Sequence, residues 1–434
     1  MDQHEVAVMG QQVAVPTAIL EPSAPGHDHV TWESARGARV RTADGRELID
    51  FTSGIFVANT GHCHPRVVAA IQEQAARLLN CYDAPHPHRA RVVDRLARLA
   101  GPTFDAVALL TGGAEAIEVA VKAAKAYTGR YETLSFSWAF HGKSHATMSL
   151  SGLPGNRRGI GPMMPGSIVG MFPTCYRCPL SLTYPQCEVA CFDASRQVFE
   201  SNTTGSLAAI VVEAYLGAGG AYVAPPEFWP RVREFADSQG AVLILDEIQT
   251  SFGRSGSMFA FHRFGIVPDV VVVAKGIASG LPMSAVISRR EILESLPASA
   301  FSSTYSGNPL ACAACLATID VLEDEDLPGR AAVLGRYALE RMSQWVGAIQ
   351  GVGDARGIGL AFGIEFVNED GSPDPDRALD VLYAADREGV LTLPPAGVAG
   401  NVLRLGPPLV ISEADLDAGL DALERAIRST ASAA

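Results

Sequence analysis

The sequence predicts an α/β fold: a mostly parallel sheet covered by helices in a large domain, followed by a smaller α+β domain. In the middle of the chain, short apolar runs without polar alternation recur between stretches with helical spacing. Strands of this kind are buried on both faces, which requires helices on both sides of a parallel sheet. After Pro328 the order changes to a helix, strands and a last helix. A chain of 434 residues is long enough for both domains.

The predicted elements follow this plan in chain order. Residues 38–50 predict two short strands joined by a turn at Asp44-Gly45. Buried strands are predicted for the runs DAVALL, LAAIVVEA, AVLILDE and DVVVVAK. Helices are predicted over Pro65–Leu79, Pro87–Ala100, Ala114–Tyr127, Phe228–Gln239, Pro309–Glu323, Ala331–Val346 and Ser412–Ser429, with further strands in 355–367 and 401–409. We expect 1–60 to contribute to the small domain, 61–325 to form the large domain with a cysteine-rich insertion at 175–191, and 326–434 to form the C-terminal small domain.

Charge and composition exclude several classes of function. Lys and Arg total 34 against 47 Asp and Glu, and the net charge of −13 disfavours binding to nucleic acid or to an anionic membrane. The apolar runs are far shorter than the ~20 residues that span a bilayer. The first ten residues, MDQHEVAVMG, lack the basic start and apolar stretch of a signal peptide. We therefore expect a cytoplasmic protein, a location that disfavours disulfides.

Two charged residues, Asp246 and Lys275, end separate buried strands. Ligands of such a sheet bind at the carboxyl ends of its strands. The chain has only four lysines, so a lysine at this place is informative. An ion pair at the sheet edge would also explain the two charges, but two independent strand ends followed by glycine-containing loops favour a pyridoxal phosphate (PLP) site. There the lysine forms a Schiff base with the cofactor aldehyde and the carboxylate holds the pyridine nitrogen protonated.

A phosphate of that cofactor needs donors, and the segment FDAVALLTGGAEAIEVAVKAAKAY supplies a strand, Gly112-Gly113 and a helix. The backbone amides of Gly113 and Ala114 are then free at a helix N-terminus to bind an anion. Gly-Gly between a strand and a helix is often only a tight turn. Here it indicates a phosphate site because it occurs together with Asp246 and Lys275. Phe140 and His141 follow at a place where an aromatic side chain could stack on a planar ring.

Seven strings along the chain resemble the class III, fold-type-I PLP-dependent aminotransferases, which include the 4-aminobutyrate and ornithine aminotransferases. The strings occur in family order from about residue 44 to the last helix and read NTGHCHP, TGGAEAIEVAVKAA, AFHGKSHATMSLSG, DEIQTSFGRSG, PDVVVVAKGIASGLP, STYSGNP and NVLRLGPPLVIS. The resemblance implies a fold-type-I enzyme, PLP as cofactor and a homodimer with shared active sites.

The resemblance also implies roles for individual residues. Lys275 resembles the Schiff-base lysine, Asp246 the partner of the pyridine nitrogen, and Gln249 the residue near the cofactor phenolic oxygen. Phe140 and Ile248 resemble the contacts on the two ring faces, and Gly113 and Ala114 the phosphate cup. Thr304 resembles the residue that completes this cup from the neighbouring subunit. Glu213 resembles the family's strand-end glutamate, His141 joins the cofactor contacts, and Arg404 resembles the arginine that binds the substrate α-carboxylate, with Lys143 and Ile55 as further substrate contacts.

Three departures from the family pattern bear on cofactor and substrate. Ala114 stands where a serine is common, which removes a hydroxyl but keeps the amides. Lys143 replaces an arginine that grips the distant carboxylate of 4-aminobutyrate, and a lysine cannot bind a carboxylate with two prongs. Ala218, in EAYLGAGG, replaces a glutamate that neutralises the α-carboxylate arginine. These changes argue against 4-aminobutyrate as substrate. They favour glutamate or alanine as the amino donor, with its carboxylate bound by Arg404, and a carbonyl precursor of an amine or amino sugar as acceptor. A substrate that is still an amino acid is the alternative.

Four cysteines, Cys175, Cys178, Cys187 and Cys191, have the count and nearly the spacing of a four-thiolate metal site. A closed structural zinc or iron site and a loop of free thiols or paired cysteines are equally compatible with the pattern.

The sequence thus predicts a PLP-dependent aminotransferase acting on a small-molecule amino donor and a carbonyl acceptor. A racemase or epimerase of the same family, or a decarboxylase, would need the same cofactor residues. A metal- or redox-sensing protein on a catalytically dead fold is an alternative of another class, against which the intact Lys275 and Asp246 argue.

Overall fold

A seven-stranded sheet lies at the centre of the computed structural model, which describes residues 5–8, 11–14 and 30–431. Across the sheet its strands are Ala106–Leu110, Ser284–Ser288, Val270–Val273, Val242–Asp246, Leu207–Glu213, Glu132–Phe136 and Ser167–Gly170. Only Ser284–Ser288 runs antiparallel to its neighbours, and every other pair is parallel. The predicted mostly parallel sheet is confirmed.

Both faces of this sheet are buried, because successive side chains of a strand point to opposite faces. Leu243, Leu245 and Val271 pack into one apolar cluster, while Ile244 and Val272 pack into a second cluster. Helices and shorter turns of the large domain are Pro65–Ala75, Pro87–Ala100, Gly113–Thr128, His145–Leu150, Pro154–Arg157, Cys175–Arg177, Ala190–Asn202, Phe228–Gln239, Ala260–Arg263, Lys275–Ala278, Arg290–Leu293, Ala298–Ala300 and Pro309–Asp324. Continuous apolar strands therefore fold as the interior layer of a helix–sheet–helix arrangement.

The C-terminal third of the chain builds two four-stranded sheets together with strands from the N-terminal part. One sheet contains Val390–Leu391, Glu47–Asp50, Arg39–Thr42 and Trp32–Arg36, and the other contains Val352–Ile358, Ala361–Phe366, Val402–Leu405 and Leu393–Ala396. The helices here are Leu327–Ser343, Pro375–Arg387 and Glu413–Ser429, and a separate strand pair joins Glu5–Val8 to Gln11–Ala14. Val390–Leu391 pairs in parallel with Ile49–Asp50, so chain segments far apart in sequence share one sheet. The three predicted domain ranges remain predictions, and part of 1–60 lies outside the described residues.

Most predicted elements occur within a few residues of their expected places, and the differences have physical causes. The helix that begins at Pro65 ends at Ala75 rather than Leu79, and the buried Gln74 amide donates to the Leu78 carbonyl beyond the helix end. The strands Glu132–Phe136 and Ser167–Gly170 were not expected from the pattern. Glu132 starts its strand as a buried carboxylate that accepts hydrogen bonds from Thr203, Thr204 and Ser206, which no local pattern indicates. Within the described residues, no helix is both long enough and apolar enough to cross a membrane.

Candidate active site

A cavity of about 730 Å³ opens where three neighbouring strands of the large sheet end, at Glu213, Asp246 and Val273. Side chains from the smaller domain close its other side. Twelve of the residues singled out from the sequence line it, namely Ile55, Gly113, Ala114, Phe140, His141, Lys143, Glu213, Asp246, Ile248, Gln249, Lys275 and Arg404. The topology thus brings to one place residues that are distributed from the first to the last part of the chain.

Asp246 and His141 form a buried pair at the floor of this cavity. Asp246 Oδ2 lies 2.8 Å from His141 Nδ1, and Asp246 Oδ1 accepts from the Ile248 amide at 3.0 Å. Burial by itself lowers the pKa of His141, but the hydrogen bond and charge of Asp246 outweigh it and the net shift is upward. His141 Nε2 is buried and has no hydrogen-bond partner in the described part of the chain. The histidine therefore fixes the orientation of the Asp246 carboxyl group, which lines the cavity.

Glu213 ties two loops of the site together. Its carboxylate accepts from the amide of Phe140 at 2.7 Å and from the amide of Gly217 at 3.0 Å. Burial raises the pKa of Glu213, the positive charge of His141 opposes the rise, and the charge of Asp246 adds to it. The predicted strand-end glutamate thus acts through the backbone, because it holds the aromatic ring of Phe140 in place.

Lys275 is the amine of the cavity, and its backbone is strained. It directly follows the strand Val270–Val273 and Ala274, and it has a φ of 47°, which L residues other than asparagine and aspartate rarely adopt. Next to it, a Cβ on Gly276 would lie 2.3 Å from Asn59 Nδ2, so only glycine fits there. Burial lowers the pKa of the Lys275 amine, although the charges of Asp246 and Glu213 oppose this shift. The amine therefore lies in the cavity, within the influence of the Asp246 and Glu213 carboxyl groups.

The helix Gly113–Thr128 points its N-terminus into the same cavity. Glu115 Oε2 accepts from the amides of Thr111 and Gly112, so these donors are already used, whereas the amides of the first helical turn have no acceptor within the helix. Gly142, with a φ of 140°, packs against this turn, and a Cβ there would lie 2.6 Å from Ala114 Cβ. The site offers backbone amides to an anion without a serine hydroxyl.

Arg404 reaches the cavity from the strand Val402–Leu405. Its Nε is buried without a partner, and no ion pair to this guanidinium occurs in the described part of the chain. Burial lowers the pKa of Arg404, while Tyr215 and Glu213 act in the opposite direction. A guanidinium in this setting has the charge and geometry to bind a carboxylate.

The mouth of the cavity contains Ile55 and Lys143, both exposed to solvent. Residues 53–56 all have φ between 49° and 65°, and this left-handed turn places Ile55 over the opening. Asp50 holds the turn, because its carboxylate accepts from the amides of Thr52 at 2.7 Å and Ser53 at 3.0 Å. Ala218 and a set of apolar side chains, Val57, Leu281, Met283, Leu393, Pro394 and Pro395, form the remaining walls.

Two residues remain: Thr304, which is expected to serve the cavity of a neighbouring subunit, and Tyr215, which the sequence did not indicate. Thr304 is exposed outside the cavity, where its carbonyl accepts from Asn80. Tyr215 was not singled out from the sequence, yet it is 1% exposed and lines the cavity. Tyr215 lies two residues beyond the end of the strand Leu207–Glu213, so its nearness to the strand end was the only signal for it.

The four clustered cysteines line one narrow cavity of about 20 Å³, away from this site. All eight cysteines of the chain are free thiols. Among the residues that the structure describes, no group of three or more His, Cys, Asp or Glu side chains is arranged to hold a metal ion. The predicted zinc or iron at Cys175, Cys178, Cys187 and Cys191 is therefore not supported: similar spacing in sequence did not produce a ligand geometry.

The main cavity fits pyridoxal phosphate by the chemistry of its donors. An amine, a carboxyl group, free helix amides and an aromatic ring correspond to the aldehyde, ring nitrogen, phosphate and ring faces of that molecule. The volume is that of a small-molecule site. Fold and site together define an enzyme of the PLP-dependent α/β class.

Comparison with known proteins identifies the family. Residues 22–427 match the family model of class III aminotransferases. The 2-aminoadipate transaminase of Pseudomonas putida is 37% identical over 409 residues, which cover 92% of this chain and 95% of that protein. The leucine/methionine racemase of Thermococcus litoralis is 36% identical over 399 residues, or 91% of this chain and 89% of that protein.

A solved amine transaminase from an uncultivated Pseudomonas species, in a PLP-bound form, superimposes with a TM-score of 0.88. It is 31% identical and covers 96% of this chain and 99% of its own. This chain belongs to the class III aminotransferase family, as the sequence predicted, and the PLP-bound neighbour supports pyridoxal phosphate as its cofactor.

Proposed function

We propose that the protein transfers an amino group from an α-amino acid, glutamate or alanine, to a carbonyl acceptor in two half-reactions, with Lys275 as covalent anchor and proton carrier. One observation carries this proposal: Lys275 and Asp246 line a single cavity with Arg404, whose Nε has no hydrogen-bond partner among the residues that the structure describes. An amino-acid substrate needs these three groups together.

The residues of the cavity divide the task of holding the cofactor. When bound, PLP supplies an aldehyde and an electron-accepting ring. Lys275 would bind the aldehyde, Asp246 the ring nitrogen, and Phe140 and Ile248 the two faces of the ring. The first-turn amides of Gly113–Thr128 would bind the phosphate, with Gln249 near the phenolic oxygen. His141 keeps the Asp246 carboxylate in one orientation through the 2.8 Å hydrogen bond.

Lys275 is suited to move a proton at the substrate Cα. A general base works best when its pKa lies near the working pH, and burial shifts the pKa of the Lys275 amine downward in that direction. Arg404 would bind the α-carboxylate and thereby place the Cα–H bond next to this amine. The apolar walls limit water at the reacting carbon.

The same walls bear on the acceptor. Ala218 brings no charge to Arg404, and Lys143 lies exposed at the mouth instead of reaching into the cavity floor. Of the acceptors considered from the sequence, the lining of Ile55, Met283 and Leu393 favours the carbonyl precursor of an amine over that of an amino sugar.

The homodimer and the cytoplasmic location also remain part of the proposal. Thr304 is exposed beside Tyr82 and Tyr305, whose exposed fractions are 53% and 64%. An exposed aromatic patch next to a residue expected to complete the phosphate cup of another subunit supports a dimer. A metal at the four cysteines is not part of the proposal, because the structure gives it no support.

Borohydride reduction followed by peptide mass spectrometry tests the assignment directly. We expect one cofactor-derived adduct, on Lys275, and none on Lys122, Lys125 or Lys143. Lys275→Ala should abolish the visible absorbance of the cofactor and reduce turnover by at least about 10²- to 10⁴-fold, the usual contribution of a general base. Lys122→Ala, at an exposed position outside the cavity, is the matched control and should keep both. An adduct on another lysine would refute the assignment.

An amino-acid racemase is the second candidate, favoured by the 36% identity to the leucine/methionine racemase. Such an enzyme exchanges the Cα proton without releasing the amino group. Incubation of an enantiopure amino acid in D₂O separates the two functions: a transaminase needs an oxo acid for turnover, whereas a racemase yields the deuterated opposite enantiomer without one.

A further inference from the structure

The Tyr215 hydroxyl lies inside the cavity and has a defined partner. Tyr215 OH donates to Gln249 Oε1 at 2.5 Å. Burial raises the pKa of this phenol well above its usual range, while the positive charges of Arg404 and Arg254 oppose the rise. The phenol therefore keeps its proton at any working pH and remains a hydrogen-bond donor.

This hydrogen bond determines which end of the Gln249 amide faces the cavity. A side-chain amide has an accepting oxygen and a donating NH₂ group, and rotation by half a turn exchanges them. Gln249 Oε1 is held by Tyr215 and packs against Gly217, where a Cβ would lie only 2.0 Å from that oxygen. Gln249 Nε2 donates to no protein atom within the described residues. The free donor of this amide is thus available to a bound molecule.

We propose that Tyr215 is a positioning residue that locks the Gln249 amide with its NH₂ group toward the phenolic oxygen of the cofactor. The proposal rests on the proposed function, because it needs PLP in the cavity. Without the Tyr215 hydroxyl, the amide can turn its oxygen toward the anionic phenolic oxygen, where two acceptors repel each other. The site then loses a hydrogen bond that stabilises the anion.

The loss has a spectroscopic consequence with a definite sign. An anionic oxygen with fewer donors is more basic, so it holds more tightly the proton that it shares with the Lys275 nitrogen. The pH at which the visible absorbance band of the bound cofactor changes should therefore rise. A hydrogen bond of ordinary strength corresponds to an upward shift of about 0.5–1 pH unit.

The experiment is a pH titration of this band in the purified holoenzyme. Tyr215→Phe keeps the ring that packs against Phe56 and removes only the hydroxyl. Tyr222→Phe is the matched control: Tyr222 is similarly buried at 3% exposed, and its hydroxyl donates to Glu365 Oε2 at 3.0 Å, outside the cavity. We expect the titration midpoint to rise in Tyr215→Phe and to stay unchanged in Tyr222→Phe.

A double variant tests whether Tyr215 acts through Gln249. Gln249→Leu removes the amide, so its midpoint should also rise, and adding Tyr215→Phe should shift it no further. An unchanged midpoint in Tyr215→Phe, or shifts that add in the double variant, would overturn the positioning role while leaving the proposed function intact. A holoenzyme without a Lys275-dependent visible band would overturn both.

Discussion

The main cavity and the cysteine segment are both clusters of reactive side chains, but they are assembled in different ways. The cavity combines Asp246 from the end of the strand Val242–Asp246, Lys275 from the residues after the neighbouring strand Val270–Val273, and Arg404 from a strand of another sheet. The cysteine segment takes its four thiols from residues 175–191, which surround a space of about 20 Å³. The first cluster has side chains of both charge types and free donors, whereas the second has four free thiols and no metal-binding arrangement within the described residues.

This difference shows which sequence signals are dependable. A charged residue at the end of a buried strand is fixed in space by the whole sheet, so its position follows from the fold. The spacing of cysteines in a loop does not determine the path of the loop backbone, so it does not determine where the thiols lie. Removing charges from the cavity should therefore cause large and specific losses, and altering the thiols should cause small ones.

The largest loss is expected for Asp246→Asn. The amide keeps the size of the side chain but loses the negative charge that pairs with His141 and would pair with the ring nitrogen, so both half-reactions should slow by about 10²- to 10³-fold. Stopped-flow measurement of each half-reaction checks this. Glu247→Gln changes the adjacent buried carboxylate, whose oxygens bind Thr250, Ala260 and Phe261, and should lower stability while sparing the half-reaction rates. Equal losses in the two variants would mean that Asp246 is only structural.

Arg404→Ala should have a narrower effect. Loss of the guanidinium should reduce kcat/KM for glutamate or alanine by about 10²-fold, because a buried carboxylate loses its charged partner. Arg404→Lys should recover only part of the loss, since an ammonium cannot bind a carboxylate with two prongs. The half-reaction with a carboxylate-free acceptor should change little. If 4-aminobutyrate proves the best substrate of the unmodified enzyme, the assignment of this pocket is wrong.

The smallest effect is expected at the cysteines. Burial raises the pKa of Cys191 to about 11, and its neighbouring thiols add to the shift. At pH 8 only about one thiol in 10³ is then a thiolate, and alkylation of native protein at Cys191 should accelerate about tenfold per pH unit up to that pKa. Peptide mass spectrometry after timed alkylation measures this. If Cys191 is instead protected from alkylation at every pH, and a chelator removes this protection, the segment binds a metal. The contrast between the two clusters would then be lost.

The sequence predicted site residues best where the residue type at a position had only one structural explanation. Lys275 and Asp246 were found because charges rarely end apolar runs, and both line the cavity. Tyr215 was overlooked because an aromatic residue in an apolar stretch is usually core, and only the hydrogen bond to Gln249 distinguishes it. The strand Glu132–Phe136 was missed because its buried glutamate is compensated by residues around 203–206, a contact that no local pattern contains.

The parallel pairing of Val390–Leu391 with Ile49–Asp50 has a consequence for how the chain is made. A ribosome adds about 5–20 residues per second. The strand edge at Ile49–Asp50 therefore stays unpaired for about 20–70 seconds, until Val390–Leu391 has been synthesised. During this time an unpaired strand edge is open to association with other chains. Arg404 emerges later still, so the nascent protein acquires its amine and carboxylates long before it can select a substrate. Translation speed and chaperone supply should therefore control the yield of active enzyme more strongly than they control the folding of the central sheet.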